Sequence, residues 1–230
     1  YLQGMLNSAN FIIFVNYEDF ISSIENEINA NIDSTCFFSG YDCDSLALEN
    51  ITNFLDNFIK HFQKLKKGVL EIRSKSINIS VIEKYKPLSN IIPAFSLNPQ
   101  FIISDYEDKT PNLNERLKAI KKLQDLGWNI GIRFDPLIWT GKKEDYKKFF
   151  SIVFNFLFVE RIHSVTLGGF RMPSNYLKRI SKIRPNDYFI QKNDTRRILG
   201  IKKENLDIKA REFCKKEILR FLSKKKLFIN

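Results

Sequence analysis

The sequence predicts an α/β fold in which parallel strands alternate with helices in a closed or partly closed (β/α) barrel. Three observations predict it. Apolar runs of strand length alternate with stretches whose apolar residues recur at helical spacing. About five such strand–helix units follow one another without a linker, an internal repeat or a low-complexity segment. The residues just after each apolar run are small, polar or charged, which suits chemistry gathered at the C-terminal ends of parallel strands.

Taken in order, residues 11–15 form an apolar run of strand length. In 17–30, Phe20, Ile21, Ile24 and Ile28 fall on one helical face, and 35–39 is the next strand. A long helix is expected over 48–66, with Leu48, Ile51, Leu55, Phe58, Ile59, Phe62 and Leu65 on one side and Gly68 stopping it. Strand 69–73 and a short helix over 77–85, halted by Pro87, come next. Strand 91–97 is interrupted by Pro93, which cannot donate to a ladder. A helix over 113–126 opens at Pro111 and closes at Gly127, and strand 129–134 ends in Asp135-Pro136. Helix 143–159, strand 164–167, helix 175–182 and a long basic helix over 205–225 complete the chain.

The chain has 230 residues, 43% of them hydrophobic and 27% charged, which describes a globular protein with room for a sizeable core. No apolar run approaches the roughly 18 residues of a membrane span, and no signal-peptide pattern is present, so a cytoplasmic protein is expected. Three cysteines, Cys36, Cys43 and Cys214, lack C-x-x-C spacing and indicate neither a disulfide framework nor a metal knuckle. Cys36 and Cys214 read as ordinary buried or helical thiols, whereas Cys43 lies in a loop beside acids. Charge is unevenly distributed: residues 171–230 hold 18 Lys/Arg against 6 Asp/Glu, on a body that is nearly neutral. Such a basic third is either the footprint of a polyanion or a solvated lysine-rich helical face. Residues 1–170 are expected to form the barrel, and 171–230 a basic, mostly helical region continuous with it.

Several chemistries are excluded. The sequence has no glycine-rich phosphate loop, no H-E-x-x-H and no nucleophile elbow, and its two histidines, His61 and His163, sit on a helix face and at a strand start.

A series of short motifs carries a resemblance. Tyr1-Leu2-Gln3 opens the chain, followed by Val15-Asn16-Tyr17-Glu18-Asp19, Ser39-Gly40 and Asp44-Ser45-Leu46-Ala47-Leu48-Glu49. Arg73-Ser74-Lys75-Ser76, Phe95-Ser96-Leu97-Asn98-Pro99 and Arg133-Phe134-Asp135-Pro136-Leu137 follow in the same order. Together they resemble the spore photoproduct lyase family of radical S-adenosylmethionine (SAM) enzymes, continuously over residues 1–157 and faintly beyond. In that family the Tyr-Leu-Gln follows a C-x-x-x-C-x-x-C motif that holds a [4Fe–4S] cluster, and this chain begins just after the corresponding position.

The resemblance implies a partial (β/α) barrel of the radical SAM type lacking its first unit. It implies a 5′-deoxyadenosyl radical, made from SAM, that abstracts hydrogen from a pyrimidine lesion in DNA, with a flavodoxin or ferredoxin as electron donor. Lys75 matches the lysine near the SAM carboxylate and Ser96 the serine that meets its amino-acid end. Asn98, two residues on, shares the face of Ser96. Ser39, Gly40 and Asp135 join them as candidate SAM-side residues. Tyr1 matches a tyrosine implicated in relaying a hydrogen atom. Tyr41 stands where true spore photoproduct lyases carry a hydrogen-donor cysteine, and Cys43 lies two residues away. Arg171, Arg184, Arg196 and Arg197 are candidate phosphate contacts, with Trp139, Phe170 and Tyr188 as candidate stacking or wedge residues. None of the three cysteines replaces the missing cluster ligands, so this chain alone is expected to be inactive. Two alternatives stand beside this reading: the same chemistry on a different substrate, and a non-catalytic nucleic-acid-binding module.

Overall fold

The computed structural model describes residues 12–40, 43–65, 67–170, 174–186 and 208–230, with the side chains of 174–177 left aside. Six strands form one sheet: β1 (Thr35–Ser39), β2 (Gly68–Ser74), β3 (Ile91–Ser96), β4 (Ile130–Leu137), β5 (Ile162–Gly169) and β6 (Leu227–Ile229). Their spatial order equals their chain order and every neighbouring pair is parallel. The helices are α1 (Tyr17–Ala30), α2 (Glu49–Thr52), α3 (Phe54–Phe62), α4 (Ser80–Glu83), α5 (Gln100–Tyr106), α6 (Leu113–Asp125), α7 (Lys143–Phe156), α8 (Ser174–Ile183) and α9 (Ile208–Ile218). Serial parallel strands joined by helical crossovers give a half-barrel with helices outside, as the sequence predicts.

The register divides the strands into two chemically different faces. Leu70, Ile72, Phe95, Ile132, Phe134, Val165 and Leu167 share the outward face and are buried with the helices in one core. Phe134 shows how that core is packed: its ring meets Phe149, Phe150 and Phe154 of α7 at centroid distances of 5.4, 5.2 and 6.1 Å. Edge-on aromatic contacts of this kind add to the burial of apolar area. The inward face carries Glu71, Arg73, Ala94, Ser96, Gly131, Arg133, Ser164 and Thr166. Polar residues along the inside of an otherwise apolar sheet mark where ligand chemistry can occur.

Several elements depart from the sequence reading for identifiable reasons. Ile12 to Val15 lie in no strand and are exposed. The helix expected over 48–66 is broken at Asn53, whose φ of 48° is left-handed. The buried carboxylate of Glu49 then caps α3, accepting the amide hydrogens of Leu55 (2.8 Å) and Asp56 (3.0 Å). Pro93 does not interrupt β3: it pairs with Ile72, and the ladder to β4 begins only at Ala94, which leaves the missing donor uncalled for. Helix α6 starts in a full capping box between Asn112 and Glu115. Neither α5 nor β6 was expected from the sequence. Strand β6 pairs Leu227, Phe228 and Ile229 with Val165, Thr166 and Leu167, so the basic C-terminal region supplies an edge strand of the sheet. No helix among the described residues is long and apolar enough to cross a membrane.

Candidate functional site

The candidate residues meet at the C-terminal ends of β1 to β4. The loop after β1 is tied down by Asp44, whose side chain accepts four hydrogen bonds. Its Oδ1 takes the amides of Leu46 and Ala47 (both 2.9 Å) and the Ser74 hydroxyl (2.8 Å). Its Oδ2 takes the amide of Lys75 at 2.7 Å. Asp44 thus fixes the backbone from which the Lys75 side chain springs. Ser39 shares a 2.8 Å hydrogen bond with the Ser45 hydroxyl. Gly40 has φ +79°, and a Cβ there would stand 2.4 Å from the Arg73 carbonyl oxygen, so only glycine lets the loop pass this close to β2.

Lys75 leaves the end of β2 and pairs through Nζ with Glu107 Oε1 at 2.9 Å, its side chain about one-third exposed (34%). Glu107, just past α5, is nearly buried (4%). Its other oxygen receives an Nη2 hydrogen of Arg116 at 2.6 Å. Arg116 belongs to α6 and is fully buried (0%). It also donates to the carbonyls of Pro111 (2.9 Å) and Ser96 (3.0 Å) and to the Thr110 hydroxyl (2.7 Å). Burial pushes the Glu107 carboxyl up, but the charges of Lys75 and Arg116 outweigh it and hold the group below its ordinary value.

Ser96 ends β3 half-buried, and its hydroxyl has no hydrogen-bond partner among the described residues. Asn98 shares its side of the chain but is buried, and its amide is committed within the protein. Its Nδ2 donates to Glu107 Oε1 and to the Pro136 carbonyl (both 3.1 Å), while Oδ1 accepts the Ile138 amide at 3.3 Å. It braces the end of β3 against β4 and holds Glu107 from a third direction. Asp135 lies over Gly168, where a Cβ would stand 2.6 Å from Oδ1, and its Oδ2 accepts the Asn230 side-chain amide at 2.8 Å.

Below these residues a second ionic cluster fills the inside of the sheet. Glu71 accepts Nε and Nη2 of Arg133 (2.9 and 2.7 Å) and Nε of Arg73 (2.6 Å). Arg133 Nη2 also reaches the Ser164 hydroxyl at 3.0 Å. His163, whose Nδ1 lies 3.1 Å from that hydroxyl, has its pKa lowered by burial and by the Arg133 charge.

The other candidates separate. Tyr1, Tyr41, Arg171, Arg196, Arg197 and Tyr188 lie outside the described residues. Arg184 is exposed on the chain after α8, 3.8 Å from Asp108. Trp139 is a packing residue, its ring 4.5 Å from Tyr146 and 5.6 Å from Phe213, and Phe170 packs beside Ile102 and Ile138. Cys214 is buried in α9, whereas Cys36 is exposed on β1, contrary to the expectation of a buried thiol. Its strand, β1, is an edge of the sheet, with β2 as its one partner strand among the described residues. Cys43 is exposed in the loop. Among the described residues no group of three or more His, Cys, Asp or Glu is placed to hold a metal ion.

Sequence reading missed Asp44 as an anchor, and missed Glu107 and Arg116 altogether. Arg116 did leave a signal: it falls between Leu113, Leu117 and Ile120 on the face that α6 buries. A charge at a buried helical position needs a partner, and here the partner is Glu107.

A family model described as spore photoproduct lyase matches residues 1–209. Spore photoproduct lyase of Bacillus subtilis (strain 168) is 25% identical over 153 residues, 65% of this chain and 45% of that protein. The enzyme of Geobacillus sp. (strain Y412MC61) is 24% identical over 139 residues, 60% of this chain and 41% of that protein. The chain therefore spans less than half the length of the curated relatives it matches. Among solved structures, a spore photoproduct lyase mutant matches with a TM-score of 0.80 at 18% identity, over 99% of this chain and 70% of that one. Another mutant, solved with bound AdoMet and dinucleoside spore photoproduct, matches with a TM-score of 0.78 at 18% identity, over 100% of this chain and 71% of that one. At this identity the structural likeness shows the half-barrel fold, and the family model carries the assignment: the chain belongs to the spore photoproduct lyase family.

Proposed function

We propose that this chain is the SAM- and substrate-facing half-barrel of a radical SAM lyase that acts on a pyrimidine lesion in DNA. The observation that carries the reading is the cationic Lys75, held at the end of β2 beside the open hydroxyl of Ser96 on the polar face of the sheet. SAM presents a carboxylate and an amine at one end, and a point charge next to a hydroxyl suits that end. Lys75 and Ser96 would hold the amino-acid part, Asp135 would accept from a hydroxyl alongside its existing partners, and Ser39 and Gly40 would shape the loop above. When bound, SAM supplies the hydrogen-abstracting power that the family's reaction needs. The described residues do not fit a [4Fe–4S] cluster, because the three cysteines lie on β1, in the following loop and on α9. The basic region 171–230, with Arg171, Arg184, Arg196 and Arg197, would face the DNA backbone, where each phosphate contact makes affinity salt-dependent.

Calorimetric titration of SAM into the chain tests the cofactor half of this reading. Binding that falls at least about tenfold in Lys75→Met and Ser96→Ala is expected, since each removes a hydrogen bond to a charged group. Binding unchanged in both variants would sink it. The substrate half is tested by comparing UV-irradiated with unirradiated DNA at two salt concentrations. A preference for irradiated DNA supports lesion recognition. Equal binding supports a second reading, the same chemistry on another substrate, which is favoured by Tyr41 standing where true spore photoproduct lyases carry cysteine.

A further inference from the structure

Glu107 is bound from three sides by residues that themselves belong to the site. Lys75 and Asn98 share its Oε1, and Arg116 holds its Oε2. Arg116 also holds the carbonyl of Ser96, so one buried guanidinium connects the ends of β2 and β3 through a single carboxylate. The two cations differ in kind. Arg116 is inside the protein and has five donors fixed in a planar fork, whereas Lys75 is partly exposed on a flexible stem. A buried carboxylate with only one cationic partner would have to keep it, because leaving that charge unpaired inside the protein is strongly unfavourable. With Arg116 in place, Glu107 remains paired when Lys75 turns to another anion.

We infer that Arg116 and Glu107 are positioning residues that make Lys75 available to a ligand carboxylate: Arg116 neutralises Glu107 permanently, and Glu107 aims Lys75 without sequestering it. The inference rests on the proposed SAM site for the identity of that ligand, but the hold on Lys75 is independent of it. Cluster charge carries the consequence. Lys75, Glu107 and Arg116 together are singly positive. Without Arg116 the remaining pair is neutral and Lys75 becomes the sole counter-ion of Glu107.

Two readouts on the full 230-residue chain separate the hold from the ligand. The first is acylation of the Lys75 amine, followed site by site by mass spectrometry with no ligand present. Arg116→Met is expected to lower Lys75 labelling below wild type, and the double variant Arg116→Met/Glu107→Gln to raise it above wild type. Equal labelling in wild type and double variant overturns the inference. The double variant removes both buried charges together and is the one expected to fold well, so this comparison stands even if Arg116→Met alone does not fold.

The second readout is calorimetric affinity for S-adenosylhomocysteine and for 5′-methylthioadenosine, which lacks the amino-acid end. Arg116→Met is expected to lose about tenfold for the first and nothing for the second, as loss of one charge-assisted hydrogen bond predicts. The double variant is expected to regain that affinity, and Arg116→Lys, which keeps the charge but not the planar fork, to lose less than Arg116→Met. Additive losses in the double variant, or equal losses for both ligands, would indicate a merely structural role and overturn the inference. Labelling as expected in a chain that binds neither ligand would support the hold on Lys75 and overturn the SAM reading instead.

Discussion

Glu71 and Arg133 face each other across the inside of the sheet, two strands apart, joined by hydrogen bonds of 2.9 and 2.7 Å that pass over β3. Two inward positions beside this pair are small. Ala94 lies on β3 between them, and a Cβ on Gly131 would stand 2.7 Å from Arg133 Nη2. Arg73 completes the cluster from the other side of Glu71 and lies 4.9 Å from the centre of the Phe38 ring. The inward face of the sheet therefore carries an ionic cluster beneath the candidate ligand site.

Removing one partner from this cluster should be far worse than removing both. Arg133→Met leaves a buried carboxylate short of its main counter-ion, and a loss of about 3–5 kcal/mol is expected. The double variant Glu71→Met/Arg133→Met replaces the pair with apolar volume and is expected to recover most of that loss. Chemical denaturation of the three proteins measures it, and a double variant as unstable as the single one would refute the pairing.

Acid should unfold the chain through the same carboxylates. Burial pushes the Glu71 carboxyl up, but Arg133 and Arg73 outweigh it and hold it below the ordinary 4.5, as Lys75 and Arg116 do for Glu107. A depressed folded-state pKa contributes stability that is present above 4.5 and lost as pH falls through the lower folded value. Glu49 works in the opposite direction. Burial raises its pKa, so its share is present below the unfolded value and lost as pH rises through the folded one. Asp56 is also held low, by hydrogen bonds from Lys60 and Tyr85. Three depressed carboxyls against one raised one predict a melting temperature that declines below about pH 4.5, a decline that Glu71→Met/Arg133→Met should flatten. A melting temperature that holds steady down to pH 3 would contradict it.

The outer half of the fold was legible because it obeys one rule. Leu70, Ile72, Phe95, Ile132 and Phe134 point to the helices, and their spacing alone announces strands. The inner face was legible only at its upper rim, where Lys75 and Ser96 fall in recognisable motifs. Glu107 and Arg116 were not, because their pairing spans a loop and a helix and leaves no local pattern beyond one charge on an apolar face. Strand β6 was hidden for a different reason. Leu227, Phe228 and Ile229 lie just beyond the basic helix expected over 205–225, too short an apolar run to announce a strand until the open edge of β5 offers them partners. The break at Asn53 depends on the Glu49 carboxylate turning back to cap α3, a tertiary choice that overrides helical periodicity.

The loop after β1 should depend on one carboxylate and one glycine. Asp44→Ala removes four hydrogen bonds to a charged acceptor, including the one that fixes the Lys75 amide, and a loss of about 2–3 kcal/mol is expected. Gly40→Ala should be comparably damaging, because the added methyl meets the Arg73 carbonyl and φ +79° disfavours any side chain. Thermal melting with SAM titration distinguishes the two outcomes. Both variants should weaken ligand binding, and wild-type affinity in Asp44→Ala would show that Lys75 needs no such anchor.

The three thiols should behave as separate groups and never as a ligand set. Cys214 is fully buried in α9, and burial, with the nearby Glu217 charge, pushes its thiol up to about 12. The Cys36 thiol is also raised, first by burial of its sulfur and then by Glu71, although its side chain is exposed on β1. Iodoacetamide at neutral pH is therefore expected to reach the exposed Cys43 and Cys36 in the native chain, Cys36 slowly because its raised pKa leaves little of the reactive thiolate, and Cys214 only on unfolding. The same separation predicts that anaerobic incubation of this chain with iron and sulfide yields no [4Fe–4S] spectrum. Labelling of native Cys214 at the rate of Cys43 would overturn the assignment of its burial. A cluster spectrum abolished by Cys36→Ser, Cys43→Ser or Cys214→Ser would show that these thiols converge after all.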